Sequence, residues 1–186
     1  ITQALAKGAR MCGVTIFEET SVTGIRLENQ QVAAVQTENG EILCETVVNC
    51  AGQWANELGK MTGVNVPLVS VEHQYLITEA IQGVTADLPT LRDPDKLTYW
   101  KEEVGGLVMG GYEPNPIAWD SKPIPKDFIF QLLPENYEHF EQLMLPAVER
   151  VPALENAGIR KLMNGPESFT PDGNFILGEA PEVKNY

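Results

Sequence analysis

Histidine is nearly absent from this chain: 186 residues hold only His73 and His139. Neither stands in an H-E-x-x-H or comparable ligand spacing, so the sequence predicts no metal site. Positive charge is also scarce. Thirteen Lys and Arg face 26 Asp and Glu, a net charge of −13, whereas nucleic acid or an anionic membrane surface requires clustered positive charge. The expected partners therefore include neither. No apolar run approaches the roughly 20 residues needed to cross a bilayer. Phosphate-binding loops are missing too. There is no G-x-G-x-x-G and no P-loop, and the Gly105-Gly106 and Gly110-Gly111 pairs fall in a hairpin pattern, not between a strand and a helix. Gly165-Pro166-Glu167-Ser168 is not a nucleophile elbow, which removes the signature of serine hydrolases. Cysteines are few and odd in number. Cys12, Cys44 and Cys50 sit in apolar surroundings and predict buried free thiols in a reducing compartment. An initiating Met and a signal peptide are both lacking at Ile1-Thr2-Gln3, so the chain is expected to be cut from a longer one.

What is present reads as globular, with 43% hydrophobic and 21% charged residues. Ala4, Leu5, Ala9 and Cys12 recur at helical spacing, and Gly13 fits a stop. Short β-like runs follow at 15–17, 21–27 and 32–37, then a turn at Asn39-Gly40 and a long strand over 41–50. That strand ends in Cys50-Ala51-Gly52 and leads to a helix over 54–61, an arrangement that resembles the edge of a nucleotide-binding α/β domain. Pro67 marks a shift. Residues 69–79 alternate, with His73, Tyr75 and Ile77 on one face and Glu72, Gln74 and Leu76 on the other. Residues 87–95 read as a loop, 97–103 and 107–113 as a hairpin closed by Gly105-Gly106, and 114–126 as a second loop. That turn places Tyr99 directly opposite Tyr112. A helix is expected over 133–148, with Phe140, Leu143, Met144 and Ala147 on its inner face, and Phe175–Gly178 reads as a short buried strand.

Chemistry-bearing residues gather in one group: His73, Tyr75, Tyr99 and Tyr112, with Arg92, Lys101 and Glu72 near them in sequence. From spacing alone these are more often half-buried sheet aromatics around a satisfied core histidine than the wall of a site. His139 falls on the polar side of its helix and reads as a surface residue.

Several strings sharpen the reading. They are Val47-Val48-Asn49-Cys50-Ala51-Gly52-Gln53-Trp54-Ala55, Glu72-His73-Gln74-Tyr75-Leu76, Leu91-Arg92-Asp93 and Gly110-Gly111-Tyr112-Glu113-Pro114-Asn115-Pro116. Arg150-Val151-Pro152-Ala153-Leu154-Glu155, Gly165-Pro166-Glu167-Ser168-Phe169-Thr170-Pro171-Asp172-Gly173 and Gly178-Glu179-Ala180-Pro181 complete them. Across essentially its whole length the chain resembles the dimethylglycine/sarcosine dehydrogenase family, within the D-amino-acid-oxidase superfamily of flavoproteins. The resemblance implies a mixed α+β and α/β fold: part of a Rossmann-like FAD domain plus an antiparallel-sheet substrate domain. Residues 1–66 and 158–186 would belong to the FAD domain and 67–157 to the substrate domain. The Gly-rich loop would lie upstream of this chain, and a folate-binding domain downstream.

The implied activity is FAD-dependent oxidation of a small N-methyl amino acid, with dimethylglycine the first choice and sarcosine the alternative. A non-catalytic regulatory relative, associated with a phosphatase of the pyruvate dehydrogenase complex, is a third reading. By the resemblance His73, Tyr75 and Tyr99 would be catalytic, and Tyr112 and Arg92 would bind the substrate carboxylate. Val22, Cys50, Ala51, Gly52 and Trp54 would contact FAD, whose main determinants lie outside these residues. The chain alone is expected to hold FAD weakly, to be inactive and to self-associate through uncovered apolar faces. The expected compartment is the cytoplasm, or the mitochondrial matrix if the source is eukaryotic.

Overall fold

Near the N-terminus, three short runs of alternating character pair into an antiparallel meander. In this computed structural model, which describes residues 1–119 and 123–186, they are β1 (Val22–Glu28), β2 (Gln31–Thr37) and β3 (Gly40–Leu43). Asn29 and Gln30 both take positive φ (52° and 60°), the backbone of a tight turn whose twist matches that of the flanking strands. Glu28 consequently pairs with Gln31, and β1 runs back along β2. Ile25 and Val32 pack with Val64 and Val183 into a small core, so the C-terminal segment returns to this meander. By contacts the chain divides into one unit of 1–66 with 176–186 and a second of 67–175.

Helix α1 (Thr2–Met11) forms where expected, with Arg10 in its last turn, where a cation suits the helix dipole. None of its residues is buried. The expected strand at 15–17 does not form, and the long strand over 41–50 shortens to β3. A strand needs a hydrogen-bonded neighbour, and beyond Leu43 the described residues offer only isolated bonds, such as Val47 N–H to the Asn185 carbonyl. The cysteines are free as expected but not buried: Cys12 and Cys50 are exposed and Cys44 half-buried. The same correction applies to 175–178. Phe175, Ile176 and Leu177 are exposed and no strand forms there.

The second unit is built on five antiparallel strands in the order β5 (Leu91–Asp93), β6 (Thr98–Glu103), β7 (Gly106–Gly111), β4 (Val69–Thr78) and β8 (Ile159–Phe169). Helix α3 (Tyr137–Arg150) covers one face. Leu76, Trp100, Met109 and Leu162 from the sheet meet Phe140, Leu143 and Ala147 from the helix. Each large apolar chain so buried contributes about 1.5–3 kcal/mol. The helix starts four residues later than the periodicity suggests, because polar residues on the sheet hold the lead-in extended. Gln74, fully buried, donates to the Asn136 carbonyl (3.2 Å) and accepts from the Asn136 N–H (3.0 Å). Asn164 donates to the Pro134 carbonyl (2.8 Å), and its own carbonyl accepts from Leu133 N–H (2.8 Å). Asn136 then caps α3 by accepting from the His139 N–H (3.0 Å).

Strands β5 and β8 lay outside the sequence expectations, which had residues 158–186 returning to the first domain. By contacts residues 158–175 belong to the second unit instead, because β8 pairs with β4 along its whole length, from Val69 with Phe169 to Thr78 with Ile159. β8 is an edge strand among the described residues and tolerates Pro166 at its centre. The β6–β7 turn also differs from expectation. Its two residues are Val104 and Gly105, with φ of 49° and 77°, and Glu103 pairs with Gly106. Gly106 is needed for another reason. A Cβ there would stand 2.7 Å from the Glu79 carbonyl oxygen, so it lies in the strand, against β4. Of the loop over 114–126, residues 120–122 lie outside the described residues.

Candidate functional site

One row across the sheet assembles most of the expected site. Arg92 pairs with Tyr99, Tyr99 with Gly110, and Gly110 with Tyr75. Directly paired residues share a face. It is the face away from α3, since Leu76 and Met109, their chain neighbours, point into the helix-covered core. One pleat repeat along β4, His73 takes the same face, opposite Gly165. Tyr99 therefore lies opposite Gly110 and not Tyr112. The turn at Val104-Gly105 displaces the register by two residues, which changes the partner but keeps both tyrosines on one face. Gly110 matters here. A Cβ at this position would stand 2.5 Å from the Tyr99 hydroxyl oxygen and 3.1 Å from the Tyr75 Cβ, so the Tyr99 ring lies across a gap that only glycine leaves.

Tyr112, just past the end of β7, stacks on His73 with ring centroids 5.1 Å apart and planes at 28°. The Arg92 guanidinium carbon lies 5.9 Å from the centre of the Tyr112 ring, within cation–π reach. The His73 side chain is 13% exposed, with Nδ1 3.4 Å from Glu113 Oε2 and Nε2 3.5 Å from Glu167 Oε2. Glu113 acts first in raising the His73 pKa above its ordinary value, burial opposes it, and Glu167 adds to the rise. Burial pushes the Tyr99 hydroxyl up, with help from Tyr112, Glu167 and Glu113. Tyr99 thus remains a protonated donor at neutral pH. A cation, phenol donors and a histidine between two carboxylates can bind a carboxylate and manage a proton beside it.

Neither glutamate figured among the expected site residues. Both stand inside the strings that carry the family resemblance, Gly-Tyr-Glu-Pro and Pro-Glu-Ser. That was the available signal. Register was the missing ingredient, because only the pairing of β4 with β8 brings Val71 and Glu167 opposite one another, beside His73.

The expected cofactor residues lie in the other unit. Val22 begins β1 and is partly exposed, beside a register break between Val22 and Gly24. Cys50-Ala51-Gly52 forms an exposed turn into a 3-10 segment (Gly52–Trp54) and then helix α2 (Ala55–Lys60). Asn49 fixes this turn from behind, donating to the Ala55 carbonyl (2.9 Å) and the Tyr186 hydroxyl (2.9 Å) and accepting from Ala51 N–H (3.1 Å). Gly52 has φ +55° and open space where a Cβ would stand. Beside it, Gln53 Oε1 is buried without a partner among the described residues. A buried acceptor lacking a donor beside open backbone suits a ligand that carries hydroxyl or N–H groups. These residues fit part of a dinucleotide, with Gln53 an addition to the expected set.

The sequence model of the FAD dependent oxidoreductase family matches residues 1–186. The chain belongs to this family. It is 42% identical over 98% of its length to the mitochondrial sarcosine dehydrogenase of Mus musculus. It is 40% identical over its full length to the mitochondrial pyruvate dehydrogenase phosphatase regulatory subunit of the same species, and 34% to the mitochondrial dimethylglycine dehydrogenase of Homo sapiens. The chain spans about a fifth of each of these relatives: 20%, 21% and 22%. The crystal structure of L-proline dehydrogenase from P. horikoshii superposes on the whole chain with a TM-score of 0.77 at 27% identity, the chain covering 47% of that one. The chain shares its mixed α and β architecture, with antiparallel sheets, with that enzyme. Among the described residues no helix is long and apolar enough to cross a membrane.

Proposed function

We propose that the protein carrying this chain oxidises a small N-methyl amino acid at its N-methyl group, and that His73, Tyr99, Tyr112 and Arg92 line the substrate side of the site. The observation that carries the reading is the Arg92–Tyr112–His73 arrangement beside Glu113, in which a carboxylate-binding cation and a proton acceptor share one sheet face. FAD, when bound, supplies the two-electron acceptor that takes a hydride from the methyl carbon. Such a carbon releases hydride only when the neighbouring nitrogen is unprotonated, so the ammonium proton must leave first. Neutral His73 accepts it. Arg92 and the Tyr99 hydroxyl hold the substrate carboxylate, which fixes the methyl group in one place. Tyr75 walls the row beside Gly110.

Higher identity to the sarcosine dehydrogenase than to the dimethylglycine dehydrogenase supports sarcosine as the first substrate to try, the reverse of the order suggested by the sequence strings. The 40% identity to the regulatory subunit supports a second reading without turnover. For a eukaryotic source, the mitochondrial relatives support a mitochondrial location. The deciding experiment is anaerobic mixing of the flavin-loaded protein with sarcosine or dimethylglycine. Bleaching of the flavin by either amine, slowed about 10²-fold or more by His73→Ala, is the expected result. Oxidised flavin that neither amine bleaches would favour the regulatory reading.

A further inference from the structure

We propose that Glu113 is the positioning residue for His73: it holds the proton of the neutral ring on Nδ1 and leaves Nε2 as the atom that accepts the substrate proton. This rests on the function proposed above and adds a residue to it. The two carboxylates around the ring are not equivalent. Glu167 is about half exposed, whereas the Glu113 side chain is 2% exposed. A carboxylate that deep is costly unless it is paired. Among the described residues Glu113 has one charged partner, His73, through Oε2, and its Oε1 is buried with none. Glu113 is thus placed where it can do little but hold the ring.

One further contact fixes the geometry. Tyr112 stacks on the imidazole and sets its plane, and because Tyr112 and Glu113 are adjacent, the segment that sets the plane also supplies the acceptor. The charged and titratable groups facing His73 are Glu113 and Tyr112 from the end of β7, Glu167 from β8, and the more distant row of Tyr75, Tyr99 and Arg92. With Nδ1–H directed at the buried acid, Nε2 is left on the side of the half-exposed Glu167, which stabilises the proton once it arrives. The dominance of Glu113 among the groups that raise the His73 pKa agrees with this division.

The test uses flavin-loaded protein labelled with ¹⁵N in histidine, with the His73 ring followed from about pH 5 to about pH 9. In the unmodified protein, the neutral ring is expected to carry its proton on Nδ1. In Glu113→Gln the ring should titrate at lower pH, and the acid limb of flavin reduction by sarcosine should move to lower pH with it. The plateau rate should fall by about tenfold or more as the ring loses its orientation, with flavin content unchanged. Glu167→Gln should leave the tautomer as it is. A neutral ring protonated on Nε2, or a titration and acid limb that stay in place in Glu113→Gln, would overturn the assignment. Should Glu113→Gln fail to fold, the tautomer in the unmodified protein decides alone. His73→Gln separates the two ideas. If it reduces flavin at the unmodified rate, the catalytic reading of the site fails, whereas the ring's tautomer still reports on Glu113.

Discussion

The two faces of the five-stranded sheet carry polar groups of opposite kinds. On the helix side, buried Gln74 and Asn164 bond backbone groups of the segment leading into α3, Asn164 donating to the Glu72 carboxylate as well (2.9 Å). On the other side, among the described residues, the His73 ring meets side chains, two acids and a ring, and stays partly open. Gln74 and His73 are neighbours in sequence, separated by one step of the pleat. The contrast teaches how to sort buried polar residues in a strand. Those that satisfy fixed backbone groups build the scaffold, while those that meet titratable side chains at a half-open surface carry chemistry.

The comparison can be broken most severely from the helix side. Phe140→Ala empties the centre of the core and should cost about 3–5 kcal/mol, read as a lower midpoint in urea unfolding. An effect below about 1 kcal/mol would mean that the helix is not seated on the sheet as described. Gln74→Ala should cost about 1–3 kcal/mol, because it strands the Asn136 N–H in a buried place. Its rate of flavin reduction per folded molecule should change little, which separates it from His73→Ala. A smaller change sharpens the register. Val104 holds φ 49°, unfavourable for a β-branched residue, so Val104→Gly should stabilise by roughly 1 kcal/mol.

The chemical face has its own signature in pH. The folded pKa of His73 is raised, so its pairing stabilises the fold fully below the ordinary imidazole value of about 6.5. That contribution is lost as pH rises through the higher folded value. Unfolding midpoints of the unmodified protein and His73→Gln should therefore converge with rising pH across that window. A gap that widens instead would show that the ring is held neutral.

Much of this was legible in advance, and the failures have physical causes. The alternation of β4 announced both of its faces, because Leu76, Gln74 and His73 differ sharply in character. β8 was not legible, since Arg160, Lys161, Asn164, Gly165 and Pro166 carry little strand propensity and take their form from the ladder with β4. Phe175–Leu177 misled in the other direction. Apolar content alone predicts burial, yet those side chains lie exposed. In the first unit the turn at Cys50-Ala51-Gly52 was readable from its small residues, whereas the role of Asn49 behind it was not, because Tyr186, its partner, lies far away in sequence.

Pro166 has an effect beyond its own strand. In an antiparallel strand the N–H and C=O of one residue point to the same side, and successive residues alternate. The Asn164 carbonyl is turned outward, toward Leu133, so the Pro166 nitrogen is turned outward as well. The outer margin of β8 therefore presents, in succession, an acceptor already engaged and a position with no hydrogen to donate. A strand from another molecule seeking to lengthen the sheet there would find its ladder interrupted at the second rung. The same proline that obscured β8 in the sequence guards this sheet against edge-to-edge growth.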